Sequence, residues 1–240
     1  MNNLKKQIYV FCDFDGTITL KDIGDEIFIK YGKFEPYNSQ LKNREITIHQ
    51  YWQILCESLP NGFNQDSISE FIKDVDIDAY FSQFVKFCVD NSIKLKIVSD
   101  GFADYIKPIL NKFQLDYLDL SSNYFNYEKG IKPVFPGSSE SCNCFSASCK
   151  RNSVLKNVSD DDFIVYIGDG YSDFCPAEHS DVIFAKKNLA KYCTENKIPH
   201  YHFHSFFDII KIFKDVILTK GKLKHRRQAE LKRIEAYYNE

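Results

Sequence analysis

The sequence predicts an α/β fold, a parallel sheet covered by helices with a small helical cap inserted after the first strand. Two observations predict it. Three apolar runs each stop in a polar, glycine-bearing turn, and each turn is followed by a segment of helical spacing. Strands that alternate with helices build parallel sheets with covered faces, and ligands bind beyond the carboxyl ends of such strands. The three turns therefore converge on one place.

The first run, residues 7–12, meets Asp13, Phe14, Asp15 and Gly16 ahead of a helix over 22–31. The stretch 16–98 is 83 residues long, far beyond the dozen or so that a crossover needs, so something is inserted there. Leu41, Ile48, Trp52 and Leu55 recur at mostly helical spacings over 38–59. Pro60, Asn61 and Gly62 break that pattern, and 67–75 and 79–89 again read as helices. The second run, 93–98, meets Ser99, Asp100 and Gly101 before a helix over 103–113. Within the polar stretch 121–149, segments 124–128 and 131–135 flank Lys129 and Gly130 like a hairpin, a candidate flap. The third run, 163–167, meets Gly168, Asp169 and Gly170 before a helix over 172–179. Short strands follow at 182–185 and 201–203, then an amphipathic helix over 206–218. The chain thus divides into an α/β core of 1–19 and 92–219, a helical cap of 20–91 and a basic tail of 220–240. Seven Lys or Arg against three Glu in that tail read as a solvated helix.

Composition excludes several function classes. With 44% apolar and 27% charged residues, the 240-residue chain is neither disordered nor fibrous. A net charge of −2 provides no global field for nucleic acid or an anionic membrane. No segment approaches the roughly 20 apolar residues of a membrane span, and the run at 7–12 is too short for a secretory signal. The expectation is a cytoplasmic protein whose eight cysteines stay reduced. Neither nucleic acid nor membrane is therefore an expected partner, and the oligomeric state is open.

Asp13 and Asp15 stand two apart on an extended chain, so both carboxylates face one side while Phe14 turns into the core. Asp169 adds a third carboxylate from another strand end. Such a cluster calls for a hard divalent ion, and magnesium, which keeps waters and takes phosphate oxygens, suits it best. Gly16, Gly101 and Gly170 leave backbone N–H groups open to an anion.

Taken together, DFDGT at 13–17, VSDG at 98–101, Lys150 and GDGYSD at 168–173 resemble the haloacid dehalogenase superfamily of aspartate-nucleophile phosphatases, from Tyr9 to about Ala185. The resemblance implies a Rossmann-like core in which Asp13 attacks phosphorus and Asp15 serves as general acid and base. It implies that Asp13, the Asp15 carbonyl, Asp169 and Asp173 serve the magnesium site, Asp173 through a water or by orienting Lys150. Ser99, Gly101 and Lys150 would bind the phosphoryl oxygens of a small phosphorylated metabolite, the partner that the resemblance implies. The insert after the first motif places the cap as in the phosphoserine phosphatase-like branch. The stretch 168–186 and the pair Cys149–Lys150 are more similar to the methionine-salvage diketo-methylthiopentyl phosphate phosphatases and to the phosphoethanolamine and phosphocholine phosphatases. Phosphoserine would ask the cap for an arginine, and only Arg44 is there, so phosphoserine is the second choice. A phosphoaspartate signalling domain is a further alternative, against which Asp15 and the cap both argue.

Cys142, Cys144 and Cys149 lie within eight residues, directly before Lys150. Such thiols can bind structural zinc, with Cys175 or His179 as the fourth ligand. The usual CxxC spacing is missing, so free thiols are the expectation and zinc the alternative.

Overall fold

The computed structural model describes residues 6–128, 130–139, 142–219 and 223–238. The first strand, β1 (Ile8–Cys12), is the apolar run IYVFC. Five helices precede the second strand: α1 (Ile23–Tyr31), α2 (Tyr37–Lys42), α3 (Ile48–Glu57), α4 (Gln65–Phe71) and α5 (Phe81–Asp90). Then follow β2 (Lys94–Phe102), α6 (Ala103–Lys112), β3 (Asp119–Asn126), β4 (Lys132–Val134) and α7 (Lys150–Leu155). The chain continues through β5 (Phe163–Gly168), α8 (Phe174–Glu178), β6 (Val182–Ala185), α9 (Lys187–Glu195) and β7 (Tyr201–His202), and closes with α10 (Phe206–Ile212) and α11 (Arg227–Tyr238).

The sheet order is β4-β3-β2-β1-β5-β6-β7, parallel throughout except for the antiparallel β3–β4 pair. The chain leaves β1 towards β2 on one side and returns to β5 on the other. This reversal of strand order opens a crevice at the carboxyl end of β1, where ligands bind in sheets of this kind. Alternate residues feed two cores, as a period-2 strand with both faces covered requires. Val10, Cys12, Val165 and Ile167 join one cluster, while Phe11, Ile164 and Tyr166 join the other.

Local chemistry starts the helices. Asp22 accepts from Asp25 N to cap α1, and Thr47 and Gln50 form a reciprocal capping box on α3. α1 and α3 rest on the end of β2 through aromatic rings, with Phe28 to Trp52 at 5.8 Å and Trp52 to Phe102 at 5.1 Å between centroids. α5 instead turns Phe81 and Phe84 onto Phe206 of α10, at 4.8 and 5.2 Å.

Several elements differ from the sequence expectation. The 38–59 segment is two helices, because the chain turns between α2 and α3 with Arg44 in the left-handed region (φ 60°). The helix expected over 206–218 stops at Ile212 and continues as a wider π turn, Phe213–Ile217. The helix expected over 172–179 begins with a 3-10 turn, Tyr171–Asp173, before α8. The polar segment after α6 hides β3, a full parallel neighbour of β2. Its sequence DLSSNYFN lacks β-branched residues, and its role is set by pairing rather than propensity. The expected hairpin forms between β3 and β4, with Pro133 tolerated because β4 is an edge strand; its Lys129 lies outside the described residues.

The tail is anchored rather than solvated. Arg226 donates to the carbonyls of Ala177, Glu178 and Ser180 at 2.7–3.0 Å, and Arg233 to His179 O at 2.8 Å. These bonds satisfy the last carbonyls of α8, and Arg233 also pairs with buried Asp181 at 3.2 Å. Lys220, Lys222 and Glu240 lie outside the described residues. Among the described residues no helix is long and apolar enough to cross a membrane.

Candidate active site at the carboxyl end of the central strand

β1 runs directly into the site: Asp13 N still donates to Ile167 O at 2.9 Å, so Asp13 is held as an extension of the sheet. Phe14 is fully buried, while Asp13 and Asp15 both line a cleft of about 440 Å³, as the alternation predicts. Ser99, Gly101, Lys150 and Asp169 line the same cleft. Asp173 lies behind Lys150 rather than in the cleft wall.

Lys150 is only 2% exposed, and its Nζ donates to Asp13 Oδ1 at 2.6 Å and to Asp173 Oδ1 at 2.7 Å. Burial works to lower its pKa, but the two carboxylates hold it above the ordinary lysine range. Burial pushes Asp173 up, and Lys150 outweighs that to keep it below the usual carboxylate range. Both Asp173 oxygens are engaged, Oδ1 by Lys150 and Tyr166 and Oδ2 by the N–H groups of Asp169 and Gly170. With its lone pairs so committed, Asp173 suits orienting Lys150 and the 168–170 turn better than it suits holding an ion.

Asp15 accepts from Ile23 N at 3.0 Å and from Tyr105 Oη at 2.7 Å. Burial, and then Asp22, raise its pKa to about 7. A Cβ at position 101 would collide with Tyr105 Oη and stand 2.6 Å from Asp15 Oδ2, so glycine is required there. Ser99 Oγ accepts from Gly101 N at 2.9 Å, which fixes the irregular last residues of β2, where its register with β3 shifts.

The carboxylates of Asp13, Asp169 and Asp173 lie within 4.8 Å of one another. Burial, then Asp173, push the Asp13 carboxyl up, and Lys150 only partly offsets this. Asp169 Oδ2 is met at 2.8 Å by Lys187, a side chain 54% exposed and therefore displaceable. A Cβ on Gly16 would stand 2.6 Å from that same oxygen, so the glycine keeps the space beside Asp169 open. A hard-oxygen set with surplus negative charge and open space fits a small divalent cation.

Sequence reasoning missed three supports. Tyr105 holds Asp15, and its only signal is its place in the first turn after Gly101. Tyr166 braces Asp173 from within β5. Asp100 joins three segments: it accepts from Trp52 Nε1 at 3.3 Å, Asn123 Nδ2 at 3.2 Å and Ser148 N at 3.0 Å. The cysteine cluster stands behind Lys150, where Cys175 joins Cys142, Cys144 and Cys149. His179 does not join it: its Nδ1 is 2.8 Å from the Cys175 carbonyl oxygen.

The sequence profile of a family described as "Putative Phosphatase" matches residues 8–213. The chain belongs to that family. A relative from Brevibacillus brevis, named 2-hydroxy-3-keto-5-methylthiopentenyl-1-phosphate phosphatase, is 30% identical over 217 residues, covering 89% of this chain and 98% of that protein. A relative of the same name from Bacillus cytotoxicus is 30% identical over 221 residues, covering 89% and 99%. Among solved structures, a phospho-aspartyl intermediate analogue of phosphoserine phosphatase aligns with TM-score 0.65 at 18% identity, covering 86% of this chain and 99% of that one. A Salmonella enterica hydrolase of the haloacid dehalogenase family aligns with TM-score 0.68 at 16% identity, covering 90% and 74%. The fold is that of the solved phosphoserine phosphatases, and this family member is a phosphoric monoester hydrolase.

Proposed function

We propose that this phosphatase hydrolyses a small-metabolite phosphomonoester with magnesium and an aspartyl-phosphate intermediate on Asp13. The observation that carries the reading is the pairing at the end of β1, where Lys150 holds Asp13 and Tyr105 positions Asp15, whose pKa burial raises to about 7. An Asp13 oxygen attacks phosphorus, the bond from phosphorus to the leaving oxygen breaks, and Asp15 gives that oxygen its proton. Asp15 then takes a proton from water as the water attacks the phosphoaspartate, which releases inorganic phosphate and restores both side chains. Lys150 and the Ser99 hydroxyl hold the phosphoryl oxygens, the Gly101 N–H orienting that hydroxyl by donating to Ser99 Oγ, and Asp173 and Tyr166 aim Lys150. Asp13, Asp169 and the Asp15 carbonyl would hold magnesium, which supplies positive charge for the transferring phosphoryl group.

In this reading α1 to α4 form the cap, while α5 belongs to the core through its contact with α10. The cap side of the cleft carries Leu41, Ile48, Tyr51 and Trp52 beside Asn38 and Lys42, and Asp22 and Asp25 stand near its base. Burial, then Asp22 and Asp15, push Asp25 up to about 8, a sign of crowded acids. An apolar tail without a carboxylate suits this wall, which favours a methylthio-pentenyl phosphate of the kind named for the two relatives. Phosphoserine fits less well, since its carboxylate would share the wall with these acids and meet Lys42 rather than the paired fork of an arginine. Arg44 is not in the wall; its guanidinium lies over the Phe145 ring at 5.3 Å. A panel comparing kcat/KM for a methylthio-pentenyl phosphate, phosphoserine, phosphocholine and phosphoethanolamine tests the substrate class. The methylthio compound should lead by at least tenfold, and a lead for phosphoserine would overturn the assignment.

A further inference from the structure

A second cluster of chemistry-bearing side chains stands behind the cleft. Cys142, Cys144 and Cys149, from the segment between β4 and α7, and Cys175, in the first turn of α8, bring their sulfurs within 4.8 Å of one another. We infer that these four cysteines hold a structural zinc ion, which ties the segment delivering Lys150 to the helix that follows Asp173.

The geometry matches the ion. With Zn–S bonds of about 2.3 Å, tetrahedral sulfurs stand about 3.8 Å apart; Cys142 Sγ and Cys175 Sγ are 3.7 Å apart. A disulfide needs about 2.05 Å, and all four cysteines are free. Among the described residues no carboxylate or imidazole joins the set, and four soft sulfurs gathered within 4.8 Å of one another select zinc over magnesium or calcium. The other four cysteines, Cys12, Cys56, Cys88 and Cys193, are dispersed and buried in the apolar cores, as unreactive cysteines are. His179 braces the site from outside, its ring held to the carbonyl oxygen of Cys175 at 2.8 Å.

The position gives the ion a purpose. Among the described residues, no helix or strand lies between β4 and α7, so little regular structure fixes the approach to Lys150. Cys149 immediately precedes Lys150, and Cys175 follows Asp173 by two residues, so the cluster spans the 2.7 Å Lys150–Asp173 pair. A tetrathiolate centre binds far more tightly than carboxylates bind magnesium, and its binding energy becomes folding energy.

The test reads metal directly and does not depend on the substrate or on the reaction at Asp13. Full-length protein purified without added metal and dialysed against EDTA should retain about one equivalent of zinc by elemental analysis. An organomercurial should release it as four thiols are titrated. Replacement by cobalt(II) should give the intense sulfur-to-metal charge-transfer band of a tetrathiolate. The Cys142→Ser/Cys175→Ser variant should lose the zinc, melt at a lower temperature and lose up to about 10²-fold in kcat with magnesium in excess, because a positioning group displaced by about 1 Å costs that much. Absence of zinc from the wild-type protein, iron in its place, a mass two units low from a disulfide, or full zinc retention by the double variant would each overturn the inference.

Discussion

The Tyr105 hydroxyl donates to Asp15 Oδ2 at 2.7 Å, and the residue at 101 is glycine because any Cβ there would strike that hydroxyl. Strand β2 and helix α6 thereby fix the carboxyl group that handles the proton, although Asp15 itself follows β1. Asp15→Asn should therefore reduce turnover of alkyl phosphates by about 10² to 10⁴-fold, the usual worth of general acid help. Nitrophenyl phosphate, whose leaving oxygen needs no proton, should suffer much less. Tyr105→Phe should produce the same split in weaker form, and equal losses on both substrates would contradict the role of Asp15.

Lys150 is buried between two carboxylates, so its removal strands both. Lys150→Ala should destabilise the fold by about 3–5 kcal/mol, the usual cost of breaking a buried pair from one side. Adding Asp173→Asn should recover part of that loss, and denaturant titration of the three proteins measures it. A single variant as stable as the parent would show that the pair is not a buried charge pair in solution.

The Asp13 and Asp169 carboxylates meet beside a glycine that leaves space at Asp169, so EDTA should abolish turnover and magnesium restore it. Calcium should not restore it, because its looser and higher coordination disturbs in-line attack by Asp13. Phosphate release assays in each metal decide the matter, and full activity in calcium alone would count against the geometry.

The carboxyl-terminal helix holds the α8 corner through Arg226 and Arg233. Arg233→Ala should cost about 1–3 kcal/mol, the range for losing hydrogen bonds to a buried charged partner. Its first effect in hydrogen exchange should be faster opening of 174–181, rather than of β1. Uniform protection across both segments would mean that the helix is not an anchor.

Much of this arrangement was legible in the chain itself. Asp13, Asp15, Ser99, Gly101 and Asp169 reach one cleft because each follows an apolar run that announces it, whereas Lys150 follows a polar segment and was legible only through the family resemblance. Tyr105 and Tyr166 were not legible, since a tyrosine in a helix or a buried strand looks like core until its hydroxyl is seen to have a partner. β3 was hidden because pairing with β2 imposes an extended form that its polar residues do not favour. Cys175 was one of two candidates on spacing alone; only the fold, which sets α8 against α7, separates it from His179. The tail's arginines read as solvent-facing charge because their carbonyl partners lie some 46 to 54 residues away in the chain.

The most direct test of the central claim is acid quenching within the first turnover, followed by mass spectrometry of the digested protein. A phosphate on the peptide containing Asp13, labile to hydroxylamine and absent from an Asp13→Asn variant that has lost at least 10³-fold in turnover, is the predicted result. Steady phosphate release by that variant, or rapid turnover by the parent with no phosphate trapped at Asp13 under any quench time, would contradict it.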